Sequence, residues 1–86
     1  MSWTVALSSA AIKDLDRLPQ RVVPAVIEFI FGPLAENPRR LGKPLRSDFT
    51  GIYSARRGVY RVLYEINEDD HSVTAVRIGY RGDAYR

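Results

Sequence analysis

Apolar and polar residues alternate with period two in Trp3-Thr4-Val5-Ala6-Leu7, which predicts a strand over 3–7. The spacing then changes. Ala11, Leu15 and Leu18 fall on one face of a helix over 10–18, with Ser8 and Ser9 as N-cap residues and Pro19 as its stop. A second helix is expected over 20–36, with Pro24 tolerable only near its first turn. Gly32-Pro33 should distort its end, and Asn37-Pro38 should stop it. Val22, Val23, Val26, Ile27, Ile30, Phe31 and Leu34 cover about half of this helix, and Phe29 widens the arc. Either the sheet and the first helix bury that arc together, or part of it docks a partner's amphipathic segment.

A loop over 42–51 leads back to period-two patterning in runs 52–56, 60–66 and 73–80. Arg57-Gly58 reads as the turn between the first two, and the polar stretch 67–72 as the turn before the third. The expected fold is α+β in the order β-α-α-β-β-β. Two N-terminal helices pack on one face of a mostly antiparallel four-stranded sheet. No repeat or linker divides residues 1–86, and a chain of 86 residues suits one domain with one core.

Composition narrows the chemistry. An apolar fraction of 45% is that of an ordinary globular protein, and the absence of cysteine excludes disulfides and thiolate metal sites. A cytoplasmic protein is expected. The start MSWTVALSS lacks the pattern of a signal peptide, and the apolar run 22–34 is broken by Pro24, Glu28 and Pro33, so no membrane partner is expected. The net charge of +3 is modest, but only Lys13, Arg17 and Arg21 of the thirteen Lys and Arg precede residue 39. All but Lys13 and Lys43 are arginine, the residue suited to bidentate phosphate contacts. Arg46, Arg56, Arg57 and Arg61 are expected to converge on one hairpin, with Tyr53, Tyr60 and Tyr64 interleaved. Neighbouring cations on paired strands repel, so such a cluster points to a polyanion, and the tyrosines point to RNA. A merely solvated basic face is the plain alternative.

Several kinds of chemistry are missing. No glycine-rich phosphate loop is present, and the single histidine, His71, lies in a polar turn and reads as a solvated residue. No ligand cluster for a metal is apparent, and no cofactor is implied. What remains is Arg, Tyr, Ser and a few acids. Those suffice for RNA cleavage by the substrate's own 2′-hydroxyl, which needs alignment, charge stabilisation and two proton transfers. Arg61 and Arg81 are candidates for the charge, and Tyr85 for stacking or hydrogen bonding at the site. A surface ion pair is the structural alternative for Arg61, and fraying near the end of the sequence for Tyr85.

A set of motifs spans nearly the whole chain: Asp14-Leu15 and Leu18-Pro19, Asn37-Pro38, Gly42-Lys43-Pro44-Leu45-Arg46, Gly51-Ile52-Tyr53, Gly58-Val59-Tyr60-Arg61-Val62-Leu63-Tyr64-Glu65-Ile66, and Arg81 with Tyr85. Together they resemble a RelE-type toxin of the RelE/ParE toxin–antitoxin superfamily. The resemblance implies the same fold, metal-independent and ribosome-dependent endoribonuclease activity on mRNA in the A site, and inhibition of translation. It also implies a cognate RelB-like antitoxin that wraps the toxin, with a toxin–antitoxin heterotetramer as one assembly it allows. By resemblance Arg61 stabilises the scissile phosphate, Arg81 sits near the leaving group, Tyr85 stacks on substrate and Arg46 helps hold RNA. Arg56 joins the catalytic set, and Lys43, Arg57 and Ser54 the RNA-binding one. The chain departs from the family pattern at Ser54 and Arg56, which stand where well-studied members carry two lysines, one a proposed general base. A guanidinium is a poor base, so either another group takes the proton, Glu65 and Asp83 being the available acids, or cleavage is slow and relies on electrostatics and alignment. Two other readings stay open: a non-enzymatic gyrase poison like the ParE branch, or a catalytically degenerate toxin kept as an antitoxin-binding partner.

Overall fold

The computed structural model describes residues 2–45 and 51–80. Strand β1 (Thr4–Leu7) alternates exposed and half-buried positions as its sequence does. Helix α1 (Ser9–Arg17) follows, and Ser8 is its cap: the hydroxyl oxygen accepts from the Ala11 N–H at 3.0 Å and donates to the Val76 carbonyl at 2.9 Å. Leu18 leaves the helix with ψ 151°, the extended backbone that a following proline demands.

The single helix expected over 20–36 is divided. Helix α2 covers only Val23–Phe29, with Pro24 in its first turn, where a missing N–H is harmless. The distortion expected at Gly32-Pro33 takes the form of a π-helical turn, Ile30–Leu34, because Pro33 cannot donate the ordinary i→i−4 bond and its ring crowds the carbonyl one turn back. Burial accounts for most of the apolar arc, since Val26, Phe29, Ile30 and Leu34 are all in the core, while Phe31 is half exposed.

Two further elements lie where a stop and a loop were expected. Asn37-Pro38 ends the π-turn and also starts a short helix, α3 (Pro38–Leu41), with proline at its favoured first position. Strand β2 (Lys43–Pro44) pairs antiparallel with strand β3 (Ile52–Arg57), so the sheet has five strands rather than four. Its pairing puts Lys43 opposite Ser54 and Pro44 opposite Tyr53, and proline is tolerated because β2 is an edge. Strand β4 (Tyr60–Asn67) forms a hairpin with β3 through Gly58-Val59. That loop is one residue later than expected, and Gly58 takes φ +64° at its first position, where glycine is the favoured residue. Strand β5 (Ser72–Tyr80) pairs antiparallel with β4 and parallel with β1, giving the order β1-β5-β4-β3-β2. The α+β class and the mostly antiparallel sheet are as read from the sequence.

The helices cover one side of this sheet, where Ala55, Val62, Tyr64, Val73, Ala75 and Ile78 meet Ala11, Leu18, Val26 and Ile30. Where β1 ends, α1 takes over the open edge of β5. Ser8 N–H donates to the Ala75 carbonyl at 2.9 Å, and the Asp14 carboxylate accepts from the Ile78 N–H at 2.8 Å. Arg77 then binds Asp14 in bidentate fashion, at 2.8 and 3.2 Å. Asp14 is 6% exposed. Burial works against its charge, but the hydrogen bonds and charge from Arg77, with the Ile78 N–H, outweigh it and hold the carboxyl below its ordinary value.

Candidate nucleic-acid interface

Pairing in the β3–β4 hairpin sets Arg56 opposite Arg61, and the next pair on the same face is Ser54 opposite Leu63. The β2 pairing adds Lys43 opposite Ser54. Lys43, Ser54, Arg56 and Arg61 therefore share the sheet face away from the helices, where they line a cleft of about 640 Å³ walled by Leu41, Pro44 and Leu45. On its other flank Arg61 faces Gly79 of β5. Among the described residues lining the cleft there is no carboxylate. Nor do the described residues hold any group of three His, Cys, Asp or Glu that could bind a metal ion.

Four of the eight residues singled out in the sequence meet here. Arg57, the next residue after Arg56, points the other way, because strand side chains alternate. It lines a separate hollow on the helix side with Arg21, Val22, Ala25, Val59 and Tyr60. The expected convergence of Arg56 and Arg57 on one patch is corrected accordingly. Arg46, Arg81 and Tyr85 lie outside the described residues, as does Asp83. Glu65, the other candidate acid, is exposed opposite Ile52 and does not line the cleft.

The interleaved tyrosines are also corrected. Tyr53, Tyr60 and Tyr64 belong to the helix side, since each sits in or against the core. Tyr64 is fully buried, and its hydroxyl donates to the Pro38 carbonyl at 2.5 Å. Burial pushes its phenol far above the ordinary value, neighbouring Tyr53 adds to the rise, and a backbone hydrogen bond from Gly42 works against it. Tyr53 stacks on Tyr64 with ring centres 5.6 Å apart, and its hydroxyl accepts from Arg39 at 3.3 Å. Tyr60 packs against Tyr80 at 5.0 Å, and hydrogen bonding to Tyr80, then burial, raises its pKa. A strict reading of parity would have separated Tyr60 and Tyr64 from Arg61. His71 is exposed, as expected, but its ring stacks on Trp3 at 3.9 Å, a contact across the fold that no local pattern signals.

Residues 5–85 match the family model described as the ParE toxin of the type II toxin–antitoxin system parDE. The chain belongs to this family. The toxin is 51% identical over 84 residues to Toxin RelE of Mycobacterium tuberculosis, covering 98% of this chain and 87% of that one. It is 46% identical over 86 residues to Toxin RelG of the same organism, covering 100% and 99%. Its fold superposes with a TM-score of 0.91 on a chain of the M. tuberculosis toxin–antitoxin complex RelBE2, at 44% identity over 96% of this chain and 95% of the other. The isolated Escherichia coli RelE toxin shares the fold at a TM-score of 0.75, with 18% identity over 99% and 87% of the two chains. The protein is thus a toxin of a type II toxin–antitoxin system, of the RelE kind. Among the described residues, no helix is long and apolar enough to cross a membrane.

Proposed function

We propose that this toxin is a metal-independent endoribonuclease that cuts mRNA in the ribosomal A site by attack of the substrate's 2′-hydroxyl. The observation that carries this reading is the register. Arg56 directly faces Arg61, and Lys43 faces Ser54, so three cations and a hydroxyl line one cleft. Like charges placed opposite one another destabilise a strand pair, and an RNA phosphate would reverse that penalty.

In the reaction the 2′-oxygen bonds to phosphorus as the P–O5′ bond breaks, leaving a 2′,3′-cyclic phosphate and a 5′-hydroxyl. Negative charge builds on the phosphoryl oxygens, where Arg61 and Arg56 supply fixed positive charge. A proton must leave the 2′-hydroxyl and another must reach the 5′-oxygen. A guanidinium is a poor base, so within the cleft the Lys43 amine is the candidate for proton transfer, and the Ser54 hydroxyl can only relay a proton along a hydrogen bond. The basic cleft also suits an acidic RelB-like antitoxin, and the toxin–antitoxin assembly named for the RelBE2 relative supports such a partner.

The test is primer extension on mRNA in a translating extract with added toxin. Discrete in-frame cuts are expected, and the cleavage step should persist when ribosome–mRNA complexes are assayed with different divalent metals at fixed ribosome integrity. Intact message with trapped gyrase–DNA complexes would replace this reading with topoisomerase poisoning. Intact message without such complexes would mark a toxin that has lost catalysis.

A further inference from the structure

The cleft has one wall on a firm hairpin and one on a segment that has little sheet of its own. Leu41, Lys43, Pro44 and Leu45 come from α3 and β2, and β2 is only two residues long. Two pairings with β3 and the Leu45 N–H bond to the Ile52 carbonyl, at 2.8 Å, are slight support for an edge strand. Further anchorage lies on the other side of the sheet. The Tyr64 hydroxyl reaches the Pro38 carbonyl at 2.5 Å, at the start of α3. The same oxygen lies 2.3 Å from where a Cβ on Gly42 would stand, and the Ser54 carbonyl oxygen lies 2.6 Å from it. Gly42 is extended rather than left-handed, so glycine is needed here for close approach, not for its φ.

We propose that Tyr64 and Gly42 form a positioning pair that sets the place of the Leu41–Leu45 wall, and with it the reach of Lys43 across the cleft. Tyr64 touches no substrate. It acts through Pro38 and Gly42, which bracket the short helix and deliver Lys43 opposite Ser54. Neighbouring contacts support the same segment: Tyr53 stacks on Tyr64 and accepts from Arg39, and Arg39 of α3 forms an exposed ion pair with Glu68. That ion pair is exposed at both ends and adds little. The buried hydroxyl is the strong point of attachment, because losing a buried hydrogen bond leaves a polar group unsatisfied away from water. The inference rests on the nuclease reading only for what the wall contacts, not for how the wall is held.

The experiment compares Tyr64→Phe with Ser8→Ala, a cap deletion far from the cleft, in the full-length toxin. Hydrogen exchange is read across the backbone, together with KM and kcat for ribosome-bound mRNA. In Tyr64→Phe, exchange at the Leu45 amide and the β2–β3 pairing should rise about tenfold relative to the β4–β5 amides, the equivalent of one buried hydrogen bond. KM should rise more than kcat falls. Ser8→Ala should show neither change. Gly42→Ala should loosen the same amides, and adding Tyr64→Phe to it should cost less than in the wild type, because the two share one contact. Unchanged exchange at Leu45 in Tyr64→Phe, or a rise spread evenly over the sheet, overturns the positioning role. If the wild-type toxin does not cut RNA, the nuclease reading fails, and the exchange data alone decide the positioning role.

Discussion

Arg61 sits between Arg56 on one side and a glycine on the other, and its side chain lines the cleft. Removing a charge that acts only in the transition state costs on the order of 3 kcal/mol, or about 100-fold in rate. Arg61→Ala should therefore lose about two decades of cleavage in primer extension while keeping its far-UV spectrum and melting temperature. A folded, fully toxic variant would remove Arg61 from the site. Arg57→Ala is the matched comparison, because it deletes the same charge one residue from Arg56 on the other face. It should change cleavage less than threefold, on the scale of an ordinary surface substitution. Sequence patterning made the cationic cluster legible at this scale, but not which side of the sheet each member faces. The Gly58-Val59 loop decides that, and assigning the turn one residue early leaves the facing pairs unspecified.

Elements with strong internal periodicity were legible in advance: β1, α1 with its Ser8 cap, and strands β3 to β5. In the segment 30–45 only the distortion at Gly32-Pro33 and the break at Asn37-Pro38 were legible, not the elements formed there. A π-turn, a four-residue helix and a two-residue strand have no period long enough to read, and what holds α3 is Tyr64, a residue more than twenty positions away. The same limit hid the Asp14–Arg77 pair, in which a helical carboxylate stands in for a missing strand partner at the edge of β5. Asp14→Ala should lower stability by about 2 kcal/mol, chiefly because the Ile78 N–H is left buried without its acceptor. The folded pKa of Asp14 lies below its unfolded value of 3.8. Its stabilisation is thus complete above about pH 4 and is lost as pH falls through the folded value. Thermal melts from pH 6 down to pH 2 should show the wild type losing more stability than Asp14→Asn, whose amide does not titrate. Equal losses would mean that other carboxylates govern the acid limb.

For the molecule as a whole, the two surfaces that a free toxin exposes lie on opposite faces of one sheet. The basic cleft is on one, and the hollow between α2 and the β3–β4 hairpin, with half-exposed Phe31 farther along, is on the other. An antitoxin that neutralises both must pass around an edge of the sheet, with an apolar helix on one side and acidic residues on the other. Hydrogen exchange on free and antitoxin-bound toxin should show protection in α2 and in the β3–β4 hairpin together. Protection of neither would refute this mode of inhibition.

The strand order carries a further consequence for how such a protein is made. Strand β5 is the last of the described strands to leave the ribosome, yet it lies between β1 and β4, and among the described residues β1 has no other strand partner. Until residues 72–80 have emerged, β1 lacks its strand partner and half of the sheet's share of the core is absent. Contacts of such long sequence separation form late. Nascent chains arrested before β5 should accordingly be cut freely by a protease, whereas chains extended past it resist. A cell translating this message would hold no folded toxin until residues 72–80 have left the ribosome.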